Sequence, residues 1–224
     1  MDELQSRWRE VDAYFVATLV GEDDALAGAR GSGALTTMPR AEVAPNQGKL
    51  LALLVQMSGA SRVLEFGTLA GYSTIWLARA VGEKGRVTTL ELQEQNAAVA
   101  RVNLERAGVA DRVDILVGPA ADSARRLVDA GAEPYDFVFI DADKPSNPAY
   151  LRAALALSRP GSVFVIDNVV RNGAVLDPAS EDDRVRGVRA VLQDIADDPR
   201  LEATSLQTVG SKGWDGFTIA RRAR

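Results

Sequence analysis

Neither cysteine nor histidine occurs in this chain of 224 residues. The first absence rules out disulfides, thiolate nucleophiles and zinc–sulfur sites. The second removes every mechanism built on an imidazole base or ligand, Ser-His-Asp triads included. Acid–base work near neutral pH therefore falls to Asp, Glu, Lys or Tyr, and any metal must be held by oxygen. Long apolar runs are missing too, since none approaches the ~18 residues of a membrane span. The opening Met1-Asp-Glu-Leu-Gln-Ser-Arg has neither the basic start nor the apolar core of a signal peptide. Cytoplasmic residence without a membrane partner is the expectation. Positive charge is also short: the net charge is −5, which argues against nucleic acid as the main partner, because phosphate binding needs a basic face.

What is present fits an ordinary globular chain, 46% hydrophobic and 25% charged, long enough for a substantial core. A single domain over 1–224 is expected, with a helical extension over 1–60 and an α/β core over 61–224. Leu4, Trp8, Val11, Phe15 and Leu19 recur at three- and four-residue steps and read as an amphipathic helix. Gly28, Gly31, Ser32, Gly33 and Pro39 mark a mobile connection or lid over 28–39. A second helix starts near Asn46 as its cap, with Leu50, Leu51, Leu54 and Met57 on one face.

Strands and helices then alternate. Strands are expected at Arg62–Phe66, Arg86–Leu90, Arg112–Val117, Tyr135–Ile140 and Ser162–Ile166. Helices fall between them, the last capped by Asn147 and ended by Pro160-Gly161. Tyr135–Ile140 is nearly all apolar, as a strand buried on both faces should be. A polar loop, Asn168–Ser180, precedes a helix carrying Val185, Val188, Leu192 and Ile195. Two closing strands, Leu201–Thr208 and Phe217–Ala220, flank a turn too short for a crossover helix, so that pair should be antiparallel. The pattern predicts a doubly wound, mostly parallel sheet with helices on both faces.

The corner Val63-Leu-Glu-Phe-Gly-Thr-Leu-Ala-Gly-Tyr-Ser73 is a strand, a glycine turn and a helix start. A dinucleotide site wants Gly-x-Gly-x-x-Gly, whereas here Thr68, Leu69 and Ala70 separate Gly67 from Gly71 and the third glycine is missing. Glu65 before the turn would repel a pyrophosphate but suit a cationic ligand, and S-adenosylmethionine carries a sulfonium, an ammonium and a ribose without phosphate. Glu91, twenty residues past Gly71, is placed to accept from ribose hydroxyls. The turn from Gly118 to Asp122 could line the adenine. NAD is the competing ligand, and a plain tight turn with a solvated Glu91 is the reading without a ligand.

Two later strands end in acids, Asp141-Ala-Asp-Lys144 and Asp167-Asn168. Asp141, Asp167 and Asn168 offer two carboxylates and an amide oxygen, a set that suits Mg²⁺, with Mn²⁺ or Ca²⁺ as alternatives. As plain strand-end caps they would carry no chemistry. Lys144 is the candidate base, unless it is a solvated partner of Asp143. Asp215 is either a hairpin residue or a further group at this edge, and Trp8 and Trp76 read as packing.

These stretches, with Asn46-Gln-Gly-Lys-Leu, Asp136-Phe-Val-Phe-Ile-Asp-Ala-Asp-Lys and Gly161-Ser-Val-Phe-Val-Ile-Asp-Asn, resemble the cation-dependent S-adenosylmethionine O-methyltransferases that include caffeoyl-CoA and catechol O-methyltransferases. The resemblance covers roughly 38–222. It implies a Rossmann-like fold with a seven-stranded sheet of order 3-2-1-4-5-7-6, the seventh strand antiparallel, usually in a homodimer. It implies Asp141, Asp167 and Asn168 as metal ligands and Lys144 as base, with Asp141 also near the cofactor. Val43, Glu65, Gly67, Ser73, Glu91 and Ala120 would line the cofactor, with Thr68, Leu69 and Gly118 in the same turns. The implied reaction is methyl transfer to a hydroxyl of a vicinal diol on an aromatic ring, a small phenolic acceptor. The alternatives are a nicotinamide-dependent oxidoreductase and a methyltransferase acting on RNA or protein. Several family members place a histidine around the substrate or adenine, and this chain has none. The loops 28–42 and 168–182, which would shape the acceptor pocket, carry no matching motif.

Overall fold

Period-two alternation along four neighbouring strands sets the architecture. Val63 on β1 (Arg62–Phe66), Val87 on β2 (Arg86–Glu91), Phe137 and Phe139 on β4 (Tyr135–Ile140) and Val165 on β5 (Ser158–Asp167) face one core. Leu64, Phe66, Leu90, Val138, Ile140, Phe164 and Ile166 face the other. Helices α3 (Pro45–Ser58), α4 (Tyr72–Ala80) and α5 (Glu94–Arg106) bring Leu51, Ile75 and Leu104 to the first core. Helices α6 (Ala120–Asp129), α7 (Asn147–Ala156) and α8 (Asp183–Asp197) bring Ala124, Leu151 and Val188 to the second. β4 is buried at every residue, as its composition predicts. The computed structural model describes residues 3–223; Met1, Asp2 and Arg224, the ends of the expected single domain, lie outside the described residues.

With β3 (Val113–Val117), β6 (Leu201–Gly210) and β7 (Gly213–Arg222) the sheet has seven strands in the order β3-β2-β1-β4-β5-β7-β6. β1 to β5 pair in parallel, and β7 runs antiparallel to both β5 and β6. The chain winds outward in one direction from β1 and in the other from β4, so the crevice where ligands bind such sheets lies above the ends of these two strands. Among the described residues no helix is long and apolar enough to cross a membrane.

The N-terminal region departs from the sequence expectation. The glycine-rich stretch is packed: Asp24–Gly31 forms α2, capped by Asp23, whose Oδ1 accepts from Leu26 N at 3.0 Å, and a 3₁₀ turn follows over Ser32–Leu35. At Gly28 a Cβ would sit 2.7 Å from the Arg106 guanidinium, so that side chain would have to swing aside for any larger residue. The first helix, α1 (Glu3–Phe15), continues as a π-helical turn over Val16–Val20, and its apolar stripe faces outward while Asp12 is its buried side chain.

Smaller differences are local. Ala44, not Asn46, caps α3, and Met57 is exposed, because the buried face runs through Gly48, Leu51, Ala52 and Val55. Ser146 rather than Asn147 caps α7, which ends before Pro160-Gly161; those two residues lie within β5. The last turn is shorter than expected, Ser211-Lys212, so Trp214 and Asp215 belong to β7.

Candidate functional site

At the end of β1 the backbone turns through left-handed conformations at Gly67 (φ 97°), Leu69 (φ 51°) and Gly71 (φ 80°). Gly67 must be glycine for a second reason: a Cβ there would lie 2.4 Å from the Asp141 carbonyl oxygen. The turn is held from β2. Glu91 Oε2 accepts from Thr68 N (3.2 Å) and Leu69 N (2.8 Å), and its Oε1 accepts from Gln93 N (2.9 Å) and Asn96 Nδ2 (3.0 Å). Four donors fill the acceptor sites of a carboxylate.

Glu65 lies behind the turn and is fully buried, away from the cavity wall. It accepts from the hydroxyls of Ser73 (2.6 Å), Thr74 (2.5 Å) and Thr89 (2.7 Å). Burial drives its pKa up to about 7, against the three hydroxyl bonds that lower it. Glu65 thus stands behind the turn, where it anchors Ser73, which does reach the cavity.

The cavity of about 860 Å³ opens above these strand ends. Gly67, Thr68, Leu69 and Glu91 form one wall, with Val43 and Ala120 on adjoining elements. Gly118 stays outside the wall; its N–H donates to Glu91 O at 2.9 Å, and the neighbouring Pro119 takes the wall position expected of it. Asn96 and Gln47 also line the cavity and were missed by sequence reasoning. Asn96 did leave a signal, as a polar residue on the small-residue face of Ala97 and Ala100.

Asp141, Lys144, Asp167 and Asn168 line the same cavity, Asp141 lying next to the turn, where its N–H donates to Phe66 O at 2.9 Å. Lys144 is buried and its Nζ donates to Asp141 Oδ1 at 2.8 Å. Asp143 is not its partner, because that carboxylate accepts from the Tyr150 hydroxyl. The Asp167 carboxyl is pushed up to about 7, chiefly by burial and then by the charge of Asp141, with Lys144 acting against both. One ammonium thus faces two carboxylates. Among the described residues no group of three or more His, Cys, Asp or Glu is placed to hold a metal. The set here is smaller, two carboxylates and an amide, and its all-oxygen chemistry with uncompensated negative charge fits a hard cation.

The outer wall comes from loops. Asn168 (φ 59°), Arg171 (φ 57°) and Asn172 (φ 53°) all take left-handed backbone. Asp215 fixes this loop, its Oδ1 accepting from Val170 N (3.0 Å), Arg171 N (3.1 Å) and Gly216 N (3.0 Å). Asp215 therefore reaches the edge and acts there as a clamp. Asp12, on α1, also lines the cavity; it accepts from Asn46 Nδ2 at 3.1 Å and from Ser211 N at 2.7 Å. Lys212 ties the β6–β7 turn to Glu42 at 3.0 Å and to Arg40 O at 2.9 Å. Trp76 is core, as expected.

A family model described as O-methyltransferase matches residues 17–223. A catechol O-methyltransferase of Mycobacterium tuberculosis is 53% identical over 211 residues, 94% of each chain. An O-methyltransferase from Bacillus cereus, solved in complex with SAH, superposes with a TM-score of 0.93 at 50% identity, covering 97% of this chain and 99% of that one. TomG of Streptomyces achromogenes, an O-methyltransferase of tomaymycin synthesis solved with SAM, reaches 0.96 at 47% identity over the whole of both chains.

Proposed function

Because the chain belongs to the O-methyltransferase family, we propose that it transfers the methyl group of S-adenosylmethionine to a hydroxyl of a catechol-like acceptor, with a divalent cation, Mg²⁺ by preference. Family membership sets aside the nicotinamide oxidoreductase. The observation that carries the reading is the meeting of two acidic strand ends, Asp141 and Asp167, with Lys144 and the Gly67 corner in one cavity. The names of the catechol O-methyltransferase relatives support the same acceptor class. An RNA acceptor is disfavoured by the net charge of −5.

Each residue then has a task. The Gly67–Ser73 turn would hold the methyl donor, and a ribose reaching Glu91 would take over one of the four bonds it now accepts. Asp141, Asp167 and Asn168 would hold the cation through oxygen. When bound, that charge favours the phenolate over a phenol whose free pKa is ~10. Lys144 Nζ, after releasing a proton of its own to solvent, would take the acceptor's proton, since the chain offers no imidazole, with Asp141 fixing its position. Holding the acceptor oxygen in line with the methyl group would supply much of the rate. For assembly we propose a second copy of the chain on the outward stripe of α1 and its π-helical turn, where Tyr14 is 66% and Leu19 70% exposed; light scattering tests it.

The test of the activity is a methylation screen of catechols, flavonoids and acyl-CoA phenolics, with Mg²⁺ and with chelator. Methylated vicinal diols only where Mg²⁺ is present are expected. Equal turnover in chelator would overturn the metal role, and no methylated diol at all would overturn the acceptor class.

A further inference from the structure

The cavity has two electrostatic ends. Glu91, Asp167 and Lys144 are the buried charges of its wall, with Asp141 beside them, and the other lining carboxylates, Asp12, Glu42, Asp143 and Asp215, each accept from a protein donor. Its rim carries Arg171, Arg184, Arg40 and Lys212. Two of these cations are already neutralised: Arg184 grips Asp182 through Nε (3.0 Å) and Nη2 (2.6 Å), and Lys212 is paired with Glu42. Arg40 is exposed. Arg171 differs from all three. It is half-buried, it lines the cavity three residues after Asn168, and its guanidinium makes no hydrogen bond or salt bridge with any described residue. Asp182 lies within electrostatic range of it but is already engaged by Arg184.

The backbone makes Arg171 a fixed feature rather than a loose one. It sits in left-handed conformation at φ 57°, and Asp215 accepts its N–H. Non-glycine residues persist in that region only where surrounding structure over-determines them, which happens mostly at ligand sites. A half-buried guanidinium that lacks a partner is best completed by a planar anion that receives two parallel N–H bonds.

We propose that Arg171 selects acceptors whose diol-bearing ring also carries an anionic substituent, a carboxylate first among them. This rests on the acceptor reading above: the diol meets the acidic strand ends while the carboxylate meets the rim. The same charge arrangement disfavours catecholamines, whose ammonium would face Arg171.

The experiment compares a dihydroxybenzoate, the matching dihydroxybenzamide and dopamine as acceptors for wild type, Arg171→Asn and Arg171→Lys. Asparagine tolerates left-handed backbone, so the loop keeps its shape. In wild type kcat/KM should fall from acid to amide to amine. Arg171→Asn should lower kcat/KM for the acid by about tenfold or more, almost wholly through KM, and leave the amide within about twofold. Arg171→Lys should restore part of the loss, because it keeps the charge without the fork. Raising salt should increase KM for the acid alone. A wild type that uses acid and amide equally, or an Arg171→Asn variant that weakens both alike, overturns the proposal while leaving diol methylation intact. Failure to methylate any of the three overturns the acceptor reading itself.

Discussion

At the Gly67 corner the protein supplies its own partners. Glu91 accepts four donors and Glu65 three, from the turn, from β2 and from the start of α5. Elsewhere in the cavity the accounts are left open. Asp141 and Asp167 share one ammonium, the Arg171 guanidinium has no bonded partner among the described residues, and the buried Glu42 Oε2 is unsatisfied. A saturated network rigidifies the structure around it, whereas open polar groups in a low dielectric are costly until a ligand completes them. On the proposed reading, the donor half would be preformed and the acceptor half completed by what binds there.

The largest expected effect falls on the open half. Lys144→Ala should lower kcat by roughly 10²–10⁴, the usual range for a lost acid–base group. Donor affinity by calorimetry should stay within a factor of about three, as for a site energetically separate from the mutation. A parallel loss of donor affinity would break the division between the halves. Gly67→Ala strikes the point where they touch. Left-handed strain alone costs roughly 1–3 kcal/mol, and contact with the Asp141 carbonyl adds to it; denaturant unfolding should show both, and an unchanged midpoint would refute the close approach.

Glu65→Gln sharpens the comparison through pH. The folded pKa, about 7, lies above the ordinary 4.5. The stabilisation linked to its proton is therefore complete below the unfolded value, declines as pH rises through about 7, and is constant above that. Glutamine never ionises, so the variant should gain on wild type across that window, by at most on the order of 3 kcal/mol. A difference in stability that is flat from about pH 4 to about 8, by calorimetry, would contradict the buried charge. The smallest effect belongs to Lys212→Ala. Its partly exposed pair with Glu42 should be worth under about 1 kcal/mol, visible as a slight rise in acceptor KM with donor affinity unchanged.

The same division explains what the sequence made legible. Gly67, Glu91, Asp141 and Asp167 are placed by local strand-and-turn patterns, and those patterns survive folding. The stretch 28–39 was read as a connection because its glycines look like breakers in isolation, while Asp24–Gly31 folds as a helix capped by Asp23 and packed against α5. The clamp at Asp215 needs residues 170 and 171, brought beside it only by the pairing of β7 with β5. Glu65 was legible in its strand; its depth behind the turn was not, because that depends on three hydroxyls, one of them twenty-four positions away.

The central claim is tested most directly by the initial rate of catechol methylation after metal removal and graded return of Mg²⁺, in wild type and Asp167→Asn. Wild type should lose its rate in chelator and recover it with Mg²⁺. Asp167→Asn should stay at least about tenfold slower at any Mg²⁺ concentration that saturates wild type, yet unfold no earlier in metal-free buffer, because a buried charge has been removed. Full wild-type rate in chelator, or full rate in Asp167→Asn, would contradict the account.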